Sequence, residues 1–235
     1  MEFIKRIALY GDSILKGVQL SDNERYTVDN HMGLEDLAKE YSVELANMSK
    51  FGCTVTKGEA MLDKGLQKGM SCQAVVMDFG GNDCDFDWKA VSEAPDCEHL
   101  PNTPISLFCE TYKRMVAKLR SANIIPVLTN LPPISAQRYF DWFCRAGLSK
   151  ENILRWLGSV ETINRYQEGY SLAVERIARE CSVPLIDIRS EFLLRRHADE
   201  LLCADGIHPN TEGQKVIASA FSNFARENLA GRVPA

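Results

Sequence analysis

Five short apolar runs recur along the chain, at 6–10, 43–48, 74–79 ("AVVMDF"), 124–129 ("IIPVLT") and 184–188 ("PLIDI"). Each is apolar at nearly every position instead of alternating. That pattern suits strands covered on both faces, as in a parallel sheet. Longer segments with helical periodicity separate them, at roughly 30–41, 54–69, 104–122, 160–181 and 210–228. In the fourth, Ile163, Tyr166, Tyr170, Ala173, Val174, Ile177 and Ala178 recur every three or four residues and form one apolar stripe. Pro184 follows soon after and marks the stop. In the last, Asn210 or Thr211 serves as the cap, and Val216, Ile217, Ala220, Phe221 and Phe224 form the buried face. This alternation predicts an α/β fold: a doubly wound, three-layer α/β/α arrangement around a five-stranded parallel sheet. With no internal repeat and no low-complexity linker, residues 1–235 are expected to form one domain.

Two segments are too long to be plain connections, 83–103 and 132–158. Both follow strand C-terminal ends, where open α/β sheets bind ligands, and long loops in compact domains are usually functional. Composition narrows the function classes. A net charge of −5 argues against a broad nucleic-acid footprint, and no basic block suggests an anionic membrane surface. The N-terminal apolar stretch is too short for a secretory signal, and no run is long enough to span a bilayer, so a cytoplasmic protein is expected. Eight cysteines without a CxxC pair argue for reduced thiols, with neither a disulfide framework nor a metal site.

Glycine-bearing turns close the first three strands: "GDS" at 11–13, "KFGC" at 50–53 and "FGGND" at 79–83. Taken alone, Ser13 reads as a turn serine or the cap of a helix opening after it. Its other reading is a nucleophile, which requires a base to take its proton. Of four histidines, His31 and His197 lie in charged segments and His99 in the long acidic loop. His208 differs, because Asp205 stands three residues before it. A carboxylate there can hold one ring nitrogen and leave the other to face Ser13. Asn82 carries an N–H donor suited to an oxyanion, and Gly52 would let a backbone N–H approach a substrate closely. In a sheet ordered 2-1-3-4-5, the turns bearing Gly52, Ser13 and Asn82 are neighbours at one edge.

These blocks together resemble the SGNH hydrolases, the GDSL-type esterase/lipase superfamily, whose sheet is flavodoxin-like. "GDSI" matches the serine block, Gly52 the glycine block, "GGND" (80–83) the third and "DGIH" (205–208) the last, in the family's order across almost the whole chain. Ile14 stands where the name-giving motif has leucine. The resemblance implies that Ser13 attacks an acyl carbonyl, that His208 is the general base and then acid, and that Asp205 orients it. It further implies an oxyanion hole made by the Ser13 and Gly52 N–H groups and the Asn82 side chain. The expected reaction is ester hydrolysis through an acyl-enzyme, without cofactor or metal.

A nucleotide-binding domain would need a Walker A loop or GxGxxG after the first strand, and "GDSILKG" is neither. Asp83, Asp85 and Asp87 alternate as in a calcium loop, but Trp88 and Ala94 stand where an EF-hand needs Gly and Glu. An acyltransferase on the same fold, or a lysophospholipase- or thioesterase-type activity, remains an alternative to simple hydrolysis. Within 84–102, five acids face one lysine, a local charge of −4. If that loop borders the crevice it disfavours anionic substrates, so a neutral small-molecule ester is expected, short-chain or a carbohydrate O-acetyl group. "RYFDWFCRAGL" (138–148) supplies aromatic surface for a lid or wall. Asp83, Trp88, Tyr139 and Trp142 are the candidate substrate contacts.

Overall fold

The computed structural model describes residues 4–21, 23–28 and 33–228. Its main sheet has five parallel strands: β1 (Arg6–Gly11), β4 (Glu44–Asn47), β5 (Ala74–Asp78), β6 (Ile125–Thr129) and β7 (Leu185–Ile186). Their order across the sheet is β4-β1-β5-β6-β7, which is 2-1-3-4-5 by order of appearance among these five. β1 and β5, buried along most of their length, pair in register from Ile7–Ala74 to Gly11–Asp78. The strand order therefore reverses between β1 and β5, and the Ser13 and Asn82 turns flank that point.

Helices cover both faces. On one, α2 (Val55–Gln67), α4 (Ile105–Ser121) and α7 (Glu161–Glu180) pack Leu62, Phe108, Tyr112, Met115, Val174 and Ile177 against Val75 and Met77. On the other, α1 (Leu34–Glu40), α8 (Ile188–Leu193) and α9 (Thr211–Asn228) enclose Leu9, Val76 and Val127 with Phe192, Val216 and Ile217. Full burial of each such side chain contributes about 1.5–3 kcal/mol before the entropy of ordering is subtracted. The α7 stripe falls on the expected residues except Tyr166, which is partly exposed and meets the Phe86 ring edge-on at 4.9 Å. Asn210 is the residue that caps α9, accepting from the N–H groups of Glu212 and Gly213 at 3.1 and 3.0 Å.

Three local expectations differ. No helix follows Ser13. Lys16 N–H to Asp12 and Val18 N–H to Ser13 close a single turn, and Gly17 at φ 75° turns the chain into a hairpin, β2 (Val18–Leu20) and β3 (Tyr26–Val28). The long segments 83–103 and 132–158 carry helices of their own: α3 (Trp88–Glu93), α5 (Ala136–Cys144) and α6 (Lys150–Leu157). They share a third apolar cluster, with Phe86, Val91, Phe140, Ile153 and Leu157 at its centre. A helix predicted from residue 30 begins at Leu34, and residues 30–32, including His31, lie outside the described residues.

Candidate active site

At the C-terminal edge of the sheet, His208 Nε2 lies 2.9 Å from Ser13 Oγ, and its Nδ1 lies 2.6 Å from Asp205 Oδ2. The other carboxylate oxygen of Asp205 accepts from the backbone N–H groups of Ile207 and His208, each at 3.1 Å. Asp205 thus holds both the ring and the backbone of the histidine. Burial alone would raise its pKa, but the His208 ring and these two N–H donors outweigh burial and hold it below the ordinary value. The turn between the two residues depends on Gly206, at φ 75°. A Cβ there would sit 2.7 Å from the Ser135 carbonyl and 2.7 Å from Arg138 Cβ, so the turn packs directly on the start of α5. The His208 carbonyl, accepting from Cys203 N–H at 2.8 Å, secures the loop from its other side.

The remaining predicted residues are placed as follows. Gly52, at φ 65° on the turn between β4 and α2, has open space where a Cβ would stand. Asn82 lies in the turn after β5; its Nδ2 donates to Asp12 Oδ2 at 2.9 Å, and its carbonyl accepts from Asn102 Nδ2 at 3.0 Å. Ser13, Asn82 and His208 all line one cleft of about 720 Å³, together with Trp88, Tyr139 and Trp142. Asp83, expected to touch substrate, does not. It is fully buried, and both its oxygens accept from Val55 N–H, at 3.0 and 3.1 Å, so it caps α2 from across the site. This ties the Gly52 turn to the Asn82 loop.

The alternating acids do not form a cation loop, because each serves a different protein donor. Asp85 takes Trp88 Nε1 at 2.8 Å and Tyr139 OH at 2.7 Å, and Asp87 caps α3 through Ala90 N–H at 3.0 Å. Asp96 pairs with Arg155 at 2.8 Å. Much of the acidic charge of the 84–102 segment is thereby engaged in local structure, and of its acids Asp85 is the one that lines the cleft. His99 bonds the Ala94 carbonyl at 2.8 Å and meets Trp156 edge-on, away from Ser13. His197 is exposed beside Glu200.

Sequence reasoning named Trp142 at the mouth of the cleft but missed Phe51 and Tyr26. Phe51 stacks near His208, with ring centroids 6.0 Å apart and planes 16° apart, and Tyr26 of β3 meets the same ring at 5.2 Å. Burial, followed by the nearby Asp205 carboxylate, pushes the Tyr26 phenol up to about 12. Trp142 faces Tyr26 at 6.4 Å and carries the Arg145 guanidinium over its ring, and Arg145 reaches Glu24 on the hairpin at 2.7 Å. The available signal was adjacency: Phe51 precedes the glycine already singled out, and "VQL" and "YTV" flank a polar turn.

Three buried aspartates underlie the site. Asp12 is raised by burial, then by the charge of Asp78. Asp78, whose Oδ1 accepts from Thr129 Oγ1 at 2.7 Å and whose Oδ2 has no hydrogen-bond partner among the described residues, is also raised by burial. Burial raises Asp83 to about 6 from its ordinary 3.8. All three bind a proton more tightly in the folded chain than in the unfolded one. Their contribution to stability is therefore complete below the unfolded value and lost as pH rises through the folded values. Thermal melts are expected to show Tm falling between pH 5 and pH 8, with a shallower fall in Asp78→Asn; a Tm that climbs across this range contradicts the assignment.

The chain matches the family model for the GDSL-like lipase/acylhydrolase family over residues 9–216. It is 23% identical over 230 residues to the GDSL esterase/lipase CPRD49 of Arabidopsis thaliana, covering 94% of this chain and 79% of that one. Among solved structures it resembles the lipase/acylhydrolase from Enterococcus faecalis, with TM-score 0.67, 21% identity and 98% of each chain covered. It also resembles Axe2, an acetylxylan esterase from Geobacillus stearothermophilus, with TM-score 0.66, 16% identity and 95% of each chain covered. Among the described residues no helix is long and apolar enough to cross a membrane. This chain belongs to the GDSL-like lipase/acylhydrolase family, hydrolases that act on ester bonds.

Proposed function

We propose that the protein hydrolyses a neutral carboxylic ester through a covalent acyl-enzyme on Ser13, and that the alcohol released is a carbohydrate carrying a short acyl group such as acetyl. The observation that carries the mechanism is the unbroken chain from Ser13 Oγ through His208 to Asp205, at 2.9 and 2.6 Å. His208 Nε2 takes the Ser13 proton as Oγ bonds to the acyl carbon. The carbonyl oxygen becomes an oxyanion, held by the N–H groups of Ser13 and Gly52 and by the Asn82 amide. Collapse of this intermediate breaks the bond to the alcohol oxygen, which leaves with the proton from His208. Water then repeats the sequence on the acyl-enzyme, releasing the acid and restoring Ser13.

The carbohydrate reading rests on the rim. The leaving alcohol must lie beside His208 to receive its proton, and Tyr26, Phe51 and Trp142 present aromatic faces there. Glu24 and Arg145 add hydrogen-bonding groups for hydroxyls at the same mouth. The likeness to an acetylxylan esterase supports this direction.

The test has two parts. A fluorophosphonate should leave one stoichiometric adduct, located on Ser13 by peptide mass spectrometry. Acetylated xylo-oligosaccharides should then be deacetylated with higher kcat/KM than p-nitrophenyl octanoate or a lysophospholipid. An adduct on another residue overturns the mechanism. Preference for the lysophospholipid or the octanoate overturns the substrate class.

A further inference from the structure

We infer that Asp12 is a positioning residue for the oxyanion donor Asn82, an inference that rests on the acyl-enzyme reading above. Asp12 immediately precedes Ser13 and is 2 % exposed, so its carboxyl group cannot be a solvated surface charge. Each of its oxygens has a defined donor. Oδ1 accepts from Ile14 N–H at 2.8 Å, which shapes the turn carrying Ser13, and Oδ2 accepts from Asn82 Nδ2 at 2.9 Å. One side chain therefore joins the nucleophile's turn to the donor's side chain, across 70 residues of sequence.

An asparagine amide has an oxygen end and a nitrogen end of nearly the same shape. Turned the wrong way, Asn82 would aim a lone pair at a developing negative charge and oppose the reaction. An acceptor at Oδ2 selects the nitrogen end. It engages one of the two N–H bonds and leaves the other directed elsewhere, available to the oxyanion. The Asn82 backbone is held separately by Asn102 Nδ2 on its carbonyl at 3.0 Å, so the torsions of the side chain are the freedom that remains for Asp12 to remove. A preorganised donor needs no reorientation as charge develops, which is where such a donor gains its effect. Because the oxyanion forms only after binding, loss of Asp12 should act on kcat and leave KM nearly unchanged.

The experiment is a double-mutant cycle on Asp12→Ala and Asn82→Ala, using kcat and KM for a chromogenic acetate ester and circular dichroism to establish folding. Asn82→Ala should lower kcat by about 10²- to 10³-fold. Asp12→Ala should lower it by about 10- to 100-fold with KM within about twofold, the size found when a group that orients a metal ligand is removed. The double variant should fall well short of the product of the two single losses, because with Asn82 gone only the bond from Ile14 N–H to Asp12 is left to lose. Asp12→Asn repeats the cycle in an isosteric form if the alanine variant does not fold. It sets an N–H₂ against one of the two donors and should keep part of the loss. If the two losses multiply in full, or if folded Asp12 variants keep wild-type kcat, the inference is wrong. Ser13→Ala run alongside separates the two levels: activity surviving there defeats the acyl-enzyme reading itself, whereas an additive cycle with an inactive Ser13→Ala defeats only the role of Asp12.

Discussion

Replacing Ser13 with alanine is expected to lower kcat for a chromogenic ester by on the order of 10⁵- to 10⁶-fold, with the fold intact. The size follows from the mechanism. Without Oγ no acyl-enzyme forms, and the residual rate is that of water attacking an ester held in the oxyanion hole, typically 10³- to 10⁴-fold above the uncatalysed reaction. The hydroxyl is small, and its one hydrogen-bond partner among the described residues is the His208 ring. Its removal leaves His208 anchored by Asp205 through the ring and by the Asp205–backbone bond. Tm should therefore stay within a few degrees of wild type. Steady-state kinetics and a thermal melt on the same preparation check both halves. A variant that folds and keeps more than about a hundredth of the wild-type rate rejects Ser13 as nucleophile.

The second large effect is expected at Asp205. In Asp205→Asn the side-chain oxygen can still accept the Ile207 and His208 N–H groups, so the turn persists. The other position becomes an N–H₂ that faces His208 Nδ1 and must donate to it. That fixes the ring in the tautomer with its proton on Nε2, opposite Ser13 Oγ, where a lone pair is needed. The expected fall in kcat is about 10⁴-fold. Asp205 is fully buried, so no solvent restores the ionic partner. A loss below about tenfold, or one entirely in KM, contradicts an orienting role.

Much of the fold was legible because its signals are local. The five strand runs were read to within a residue or two, since a strand buried on both faces must be apolar throughout. The α7 stripe was read because helical period and burial coincide there. The hairpin after Ser13 was not legible. Two three-residue strands are too short for alternation to register, and a turn serine before a polar segment reads equally well as a cap. Asp83 was misplaced for a related reason: an aspartate in a glycine-rich turn looks exposed, and nothing local indicates that the N-terminus of α2 will be folded onto it.

Sequence alone supplied the layered α/β plan and the candidates Ser13, Asn82, Asp205 and His208, because strand burial shows in short windows and the four blocks that carry those residues occur together in one order. Tertiary structure alone decided how far apart those side chains stand and what surrounds them. The 2.9 Å contact between Ser13 and His208 spans 195 residues, and the Asp12–Asn82 bond spans 70. The aromatic mouth draws Tyr26, Phe51 and Trp142 from three separate segments. Such distances come from the crossovers that return the chain to one edge of the sheet, and no spacing along a linear chain encodes them.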